Sequence, residues 1–161
     1  MKVDESRRRV VQAGGAVTVF GMFVAAGLVK PGEALAQATW NKDAFSSKTV
    51  NDVVKAYGGG APAATDAVSW GSTPEIAENG AVVPISVTSK VPNTQSIAVL
   101  IEKNPNALAA KFDFPAGTDP TVSTRVKIGQ SSNVHALIKT ADGKYFVATR
   151  EVKVTLGGCG G

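Results

Sequence analysis

From Ala67 to Leu156 apolar side chains fall at every second position, and a period of two commits a chain to strands, because successive residues face opposite sides of a sheet. Val68 and Trp70 begin the pattern. After the turn pair Asn79-Gly80 come Val83, Ile85 and Val87 on one face; later Val122, Thr124, Val126 and Ile128 alternate with Thr121, Ser123, Arg125 and Lys127. Val134, Ala136 and Ile138 form a further run. Ile97, Val99 and Ile101 are interleaved with Ala98 and Leu100, so this strand is apolar on both faces and belongs in the middle of a sheet. In the last strand Phe146, Ala148, Val152, Val154 and Leu156 share a parity that Arg150 breaks, which predicts a bulge or a sheet edge there. Polar turns separate the runs at Glu102-Lys103-Asn104-Pro105-Asn106, Pro115-Ala116-Gly117 and Asp142-Gly143.

About six or seven short strands bounded in this way predict a mainly β domain over residues 39–156, a two-sheet sandwich of immunoglobulin-like type. A short helical segment opens it. Phe45, Val50, Val53, Val54 and Tyr57 fall on one arc at 3.6 residues per turn, which predicts a helix from Trp40 to Tyr57. Thr49 with Asp52 has the form of a capping box, and Gly58 fits the stop. The stripe reads as core packing, not as a ligand box.

The 161 residues suffice for one domain, and 17 basic against 13 acidic side chains leave a net charge of +4. Five of the basic and three of the acidic groups lie in residues 1–38, so the remainder carries 12 against 10. That balance makes no case for a nucleic-acid groove. A single cysteine excludes an internal disulfide framework and a cysteine-built metal site. His135 shares strand parity with Asn133, Leu137 and Lys139 and reads as a partly exposed strand histidine. Glu75 and Glu78 read as a solvated loop, since nothing acidic or metal-binding converges on them in sequence. No catalytic, metal or cofactor-binding residue emerges.

Residues 1–38 have the parts of an export signal. Arg7, Arg8 and Arg9 precede a Gly/Ala/Val-rich apolar stretch from Ala13 to Val29, and small-residue sites follow at Ala34-Leu35-Ala36 and Ala36-Gln37-Ala38. Arg7 and Arg8 before an apolar pair fit a twin-arginine signal, cleaved near Ala36 or Ala38, that delivers a folded chain to the periplasm. Glycines interrupt the apolar stretch, which is short for a bilayer span of about 20 residues, so no membrane anchor is expected.

The lone cysteine stands in Gly157-Gly158-Cys159-Gly160-Gly161. Glycine populates both signs of φ, so residues 157–161 read as a flexible arm that carries the thiol. At roughly 3.3 Å per extended residue, the run from Gly157 to Cys159 reaches about 10 Å beyond the domain. No cation, metal or helix start adjoins the thiol in sequence to lower its pKa. Activation is therefore expected from a partner's site.

These residues resemble the SoxY family of sulfur carriers of the thiosulfate-oxidising Sox system. Val152-Lys153-Val154-Thr155-Leu156-Gly157-Gly158-Cys159-Gly160-Gly161 is similar to the family's terminal signature. Ala77-Glu78-Asn79-Gly80-Ala81-Val82-Val83-Pro84, Glu102-Lys103-Asn104-Pro105 and Thr124-Arg125-Val126-Lys127-Ile128 are similar to further family stretches. The resemblance implies an immunoglobulin-like, non-catalytic subunit in a heterodimer with a co-exported SoxZ-like partner. It implies that Cys159 holds sulfur covalently, as an S-thiosulfonate and then a persulfide, without a cofactor. A SoxAX-like cytochrome would load thiosulfate, a SoxB-like hydrolase would release sulfate, and a SoxCD-like sulfane dehydrogenase, where present, would oxidise the remaining sulfur.

The principal alternative is a secreted immunoglobulin-like interaction module whose cysteine only forms an intermolecular disulfide. A carrier using the Gly161 carboxylate would need adenylation by ATP, which export places out of reach. An exposed thiol on a free arm also pairs with its own kind. We expect a Cys159-linked dimer in air that reductant returns to monomer; an unchanged intact mass with and without reductant would refute it.

Overall fold

The computed structural model describes residues 41–156, within the unit Asn41–Gly161. Residues 1–40 and 157–161 lie outside the described residues, and with them the expected signal, Arg7, Arg8, Cys159 and the glycines Gly157, Gly158, Gly160 and Gly161.

Two short helices open the described chain, α1 (Lys42–Ser46) and α2 (Val50–Ala56), where the apolar arc predicts one. Small hydroxyl residues break the run. Ser46 and Ser47 turn their hydroxyls back onto the Lys42 and Asp43 carbonyls at 2.9 and 2.8 Å, and Ser47 is already extended, with ψ 143°. Thr49 then starts a new helix: its Oγ1 accepts from Asp52 N at 3.2 Å and donates to Asp52 Oδ2 at 2.7 Å, a cap of about 1 kcal/mol. Gly58, at φ 74°, ends α2 in a Schellman turn, in which Gly58 N donates to Lys55 O and Gly59 N to Val54 O.

The strands are β1 (Ala63–Ala64), β2 (Val68–Ser69), β3 (Ile76–Asn79), β4 (Val83–Ser89), β5 (Thr94–Ile101), β6 (Leu108–Asp113), β7 (Thr121–Val126), β8 (Ser132–Thr140) and β9 (Tyr145–Leu156). One sheet has the order β1-β9-β8-β5-β6, with β3 also on β9; the other is β2-β4-β7. The domain is the mainly β immunoglobulin-like sandwich that the alternation predicts, with short β1, β2 and β3 raising the strand count.

β5 is central, paired antiparallel with β6 and β8, and its two apolar parities serve two cores. Ile97, Val99 and Ile101 face the second sheet and pack with Val83, Ile85, Val87 and Val122. Ala98 and Leu100 face the helices and pack with Val53, Val54 and Leu137. Ile128 lies just past β7 yet is fully buried, its N–H donated to Gly80 O at 2.7 Å.

Two local expectations hold in a particular form. Asn79-Gly80 does not close a hairpin, because β3 pairs with β9 whereas β4 pairs with β2 and β7, so the turn carries the chain from one sheet to the other. Asn79 Oδ1 accepts from Ala81 N at 2.8 Å, an Asx turn that changes direction without a hairpin's ladder. Arg150 sits in unbroken register opposite Val134, so there is no bulge between β8 and β9. It does stand at an edge, since neither β1 nor β3 pairs with residues 148–152 of β9. The side chain leaves through that gap to Glu75 Oε1, 3.5 Å away.

Tyr145 seats the helices against the sheet, and Gly59 lies under its ring. A Cβ on Gly59 would overlap the Tyr145 ring and stand 2.8 Å from Val54 Cγ1, whereas one on Gly60 meets nothing within 4 Å. Gly59→Ala should therefore lower the unfolding free energy by about 1–3 kcal/mol, the usual range for overpacking, and Gly60→Ala should change it little. Urea unfolding of both variants checks the contrast.

Candidate functional site: the end of the last strand

The signature stretch begins inside β9. β8 accompanies this strand only as far as Val152, opposite Ser132. From there β3 takes over on the other edge in parallel register, Ile76 with Lys153, Ala77 with Val154 and Asn79 with Leu156. Lys153 N donates to Glu75 O at 2.8 Å, and Thr155 Oγ1 donates to Glu78 O at 3.1 Å. On the β8 side Ser131 Oγ accepts from Val154 N at 2.9 Å and donates back to Val154 O at 3.4 Å. The chain is thus held at both edges near the point where Gly157 begins.

Val152 is buried and Val154 half-buried toward the sandwich core, while Lys153 and Thr155 are exposed on the outer face. Farther along this face His135 joins a polar network. Its Nδ1 lies 2.9 Å from Thr149 Oγ1 and its Nε2 lies 3.7 Å from Glu102 Oε2, an oxygen that also accepts from Asn133 Nδ2 at 2.8 Å. Burial lowers the His135 pKa and outweighs Glu102, which acts in the opposite sense. The ring is neutral at pH 7 and serves as a hydrogen-bonding strand residue, partly exposed, where parity places it.

Glu75 and Glu78 do not converge, since Glu75 turns to Arg150 while Glu78 stands exposed on β3. Among the described residues no group of three or more His, Cys, Asp or Glu side chains could hold a metal ion. Sequence reasoning misses Ser131 and the β3 pairing. Ser131 sits in a run of turn-forming residues, and parallel pairing across more than seventy positions leaves no local trace.

The described domain is a sandwich that anchors its last strand on both sides just before a cysteine-bearing segment. A family model described as sulfur oxidation protein SoxY matches residues 53–159, from α2 through Cys159. The chain belongs to the SoxY family. Among solved structures, the sulfur carrier protein SoxY from Chlorobium limicola f thiosulfatophilum is similar at 34% identity with a TM-score of 0.58, covering 65% of this chain and 94% of that one. A superoxide reductase (neelaredoxin) from Ignicoccus hospitalis has 19% identity and a TM-score of 0.47 over 54% of this chain and 79% of that one, too slight a likeness to carry any argument. No curated protein matches the chain.

The His135 shift sets a sign for pH dependence. A histidine whose folded pKa lies below its unfolded value stabilises the fold above about pH 6.5 and loses that contribution as pH falls through the folded value. The unfolding midpoint in urea should drop between pH 7 and pH 5 more steeply for the native chain than for His135→Gln. Parallel profiles would contradict the assignment.

Proposed function

We propose that this protein is a covalent sulfur carrier, with Cys159 as the attachment point and Gly157, Gly158, Gly160 and Gly161 as its arm. One observation carries the reading: the SoxY family match runs as far as Cys159 itself. The solved relative's description as a sulfur carrier protein supports the same role.

The chemistry divides between carrier and partners. Loading joins the Cys159 thiol to the outer sulfur of thiosulfate; an S–S bond forms, the thiol proton leaves, and two electrons pass to a cytochrome of SoxAX type. Hydrolysis by a SoxB-type enzyme then cleaves the bond between the sulfane and sulfonate sulfurs. Water supplies the fourth oxygen of sulfate, and Cys159 keeps a persulfide. A sulfane dehydrogenase of SoxCD type would oxidise what remains. The carrier contributes a nucleophilic sulfur and reach, and its partners contribute metals and acid/base groups. Tethering keeps a reactive intermediate at high effective concentration between successive sites.

The same reading places the chain in the periplasm, exported by the twin-arginine route through Arg7 and Arg8 and processed near Ala36 or Ala38. The mature part would be the domain 39–156 with the arm 157–161. A route for folded cargo fits a chain that leaves the cytoplasm already bound to a SoxZ-like subunit.

Incubation with thiosulfate and the partner enzymes should add the mass of a thiosulfonate, and then of one sulfur, to the native protein. Cys159→Ser should take up neither. A serine variant that still carried sulfur, or a native chain that never did, would end this interpretation.

A further inference from the structure

The outer face of the larger sheet is only half covered. α1 and α2 lie over the half that bears Ala98, Leu100, Leu137 and Tyr145. The other half, with Glu102, Asn133, Glu151 and Lys153 around the more deeply set His135, contributes nothing to the apolar core under the helices and runs to the end of β9. Ile76 pairs with Lys153 and so shares this face at 61% exposure; Val82, in the turn after β3, is 57% exposed. These are the exposed large hydrophobic side chains among the described residues, and Ile76 stands beside Lys153, three positions before the end of β9. Arg150 is paired with Glu75 beside this face, and of the remaining charges Glu78, Glu102 and Glu151 oppose Lys153, so the face is acidic in a domain whose overall balance is slightly basic.

Tether length decides what can use such a face. Cys159 is three residues past Leu156, so at roughly 3.3 Å per residue its Cα can lie no more than about 10 Å from the strand end, with the sulfur two bonds farther. An enzyme that receives this sulfur in a recessed site must press its own surface against the residues around Leu156. A thiosulfate-derived adduct is anionic, and a site that accepts it needs positive potential at its mouth. That rim complements carboxylates beside the arm.

Building on the carrier reading above, we propose that the uncovered half-face is the docking surface for a sulfur-processing enzyme. A basic rim around the enzyme's channel meets Glu78, Glu102 and Glu151, and Ile76 supplies an apolar contact. Charge of this kind speeds encounter and fixes orientation more than it adds raw affinity.

The test uses the full chain with its co-purified subunit as substrate for the enzyme that joins thiosulfate to Cys159. Initial rates of adduct formation, read by intact mass, are taken against carrier concentration at low and high ionic strength. The double variant Glu78→Lys, Glu151→Lys should raise KM for the carrier about tenfold at low salt with little change in kcat, and the difference should shrink as salt screens it. Ile76→Ser should raise KM at both salt levels, and Asp119→Lys, in the β6–β7 loop, should change nothing. Should the double variant misfold by circular dichroism, Glu151→Gln serves in its place, with a smaller rise of the same sign. An unchanged KM overturns the proposal. So does loss of the co-purified subunit from the variants, which would assign the face to the subunit contact. A native carrier that takes no adduct would sink the carrier reading itself, a separate outcome from native loading with indifferent variants.

Discussion

The end of the last strand depends on parallel pairing between β3 and the last residues of β9. Without it the signature stretch would run past the end of β8 with no strand on either edge, and its backbone polar groups, apart from those of Val154 held by Ser131, would turn to water. The pairing of Ile76 with Lys153 and Asn79 with Leu156, and the bonds from Ser131 to Val154, keep the strand in the sheet to its end. Any freedom in the following residues is then freedom about a fixed origin. For a carrier this matters, because random displacement of the origin would add to the volume the sulfur must search.

Two cores brace that origin from opposite sides. β5 gives one parity to the second sheet and the other to the helices, so the larger sheet is clamped between layers. Helix cover stops partway along the face. The exposed half-face and the anchored strand end therefore come from the same economy of layers: two short helices bury Ala98, Leu100 and Leu137 and extend no farther.

Much of this was legible in the residues. Period-two alternation identifies the long strands and their inward faces, and continuous apolarity from Ile97 to Ile101 marks the central strand, because a strand buried on both faces can hold no polar parity. Local signals leave open what a non-local partner decides. Asn79-Gly80 has hairpin composition, yet the partners of β3 and β4 lie in different sheets, so the turn makes a crossing. Arg150 looks like a fault in the inward series, but an open stretch of edge on β9 lets a long cationic side chain escape without a bulge. The helical arc is real in Val53 and Val54, but hydroxyl groups at Ser46, Ser47 and Thr49 compete for the backbone and divide it. Composition and family likeness mark the candidate arm, whereas Ser131 has no sequence signal because its importance lies in a partner 23 positions away.

The direction of β9 has a mechanical corollary. A tug on the chain beyond Leu156 runs along the strand axis, antiparallel to β8 and parallel to β1 and β3. Ladder bonds in that arrangement are loaded side by side and share the force, whereas a pull across the sheet would unzip them one at a time. Tension along this axis would therefore load the ladders of β9 in shear rather than peel them apart.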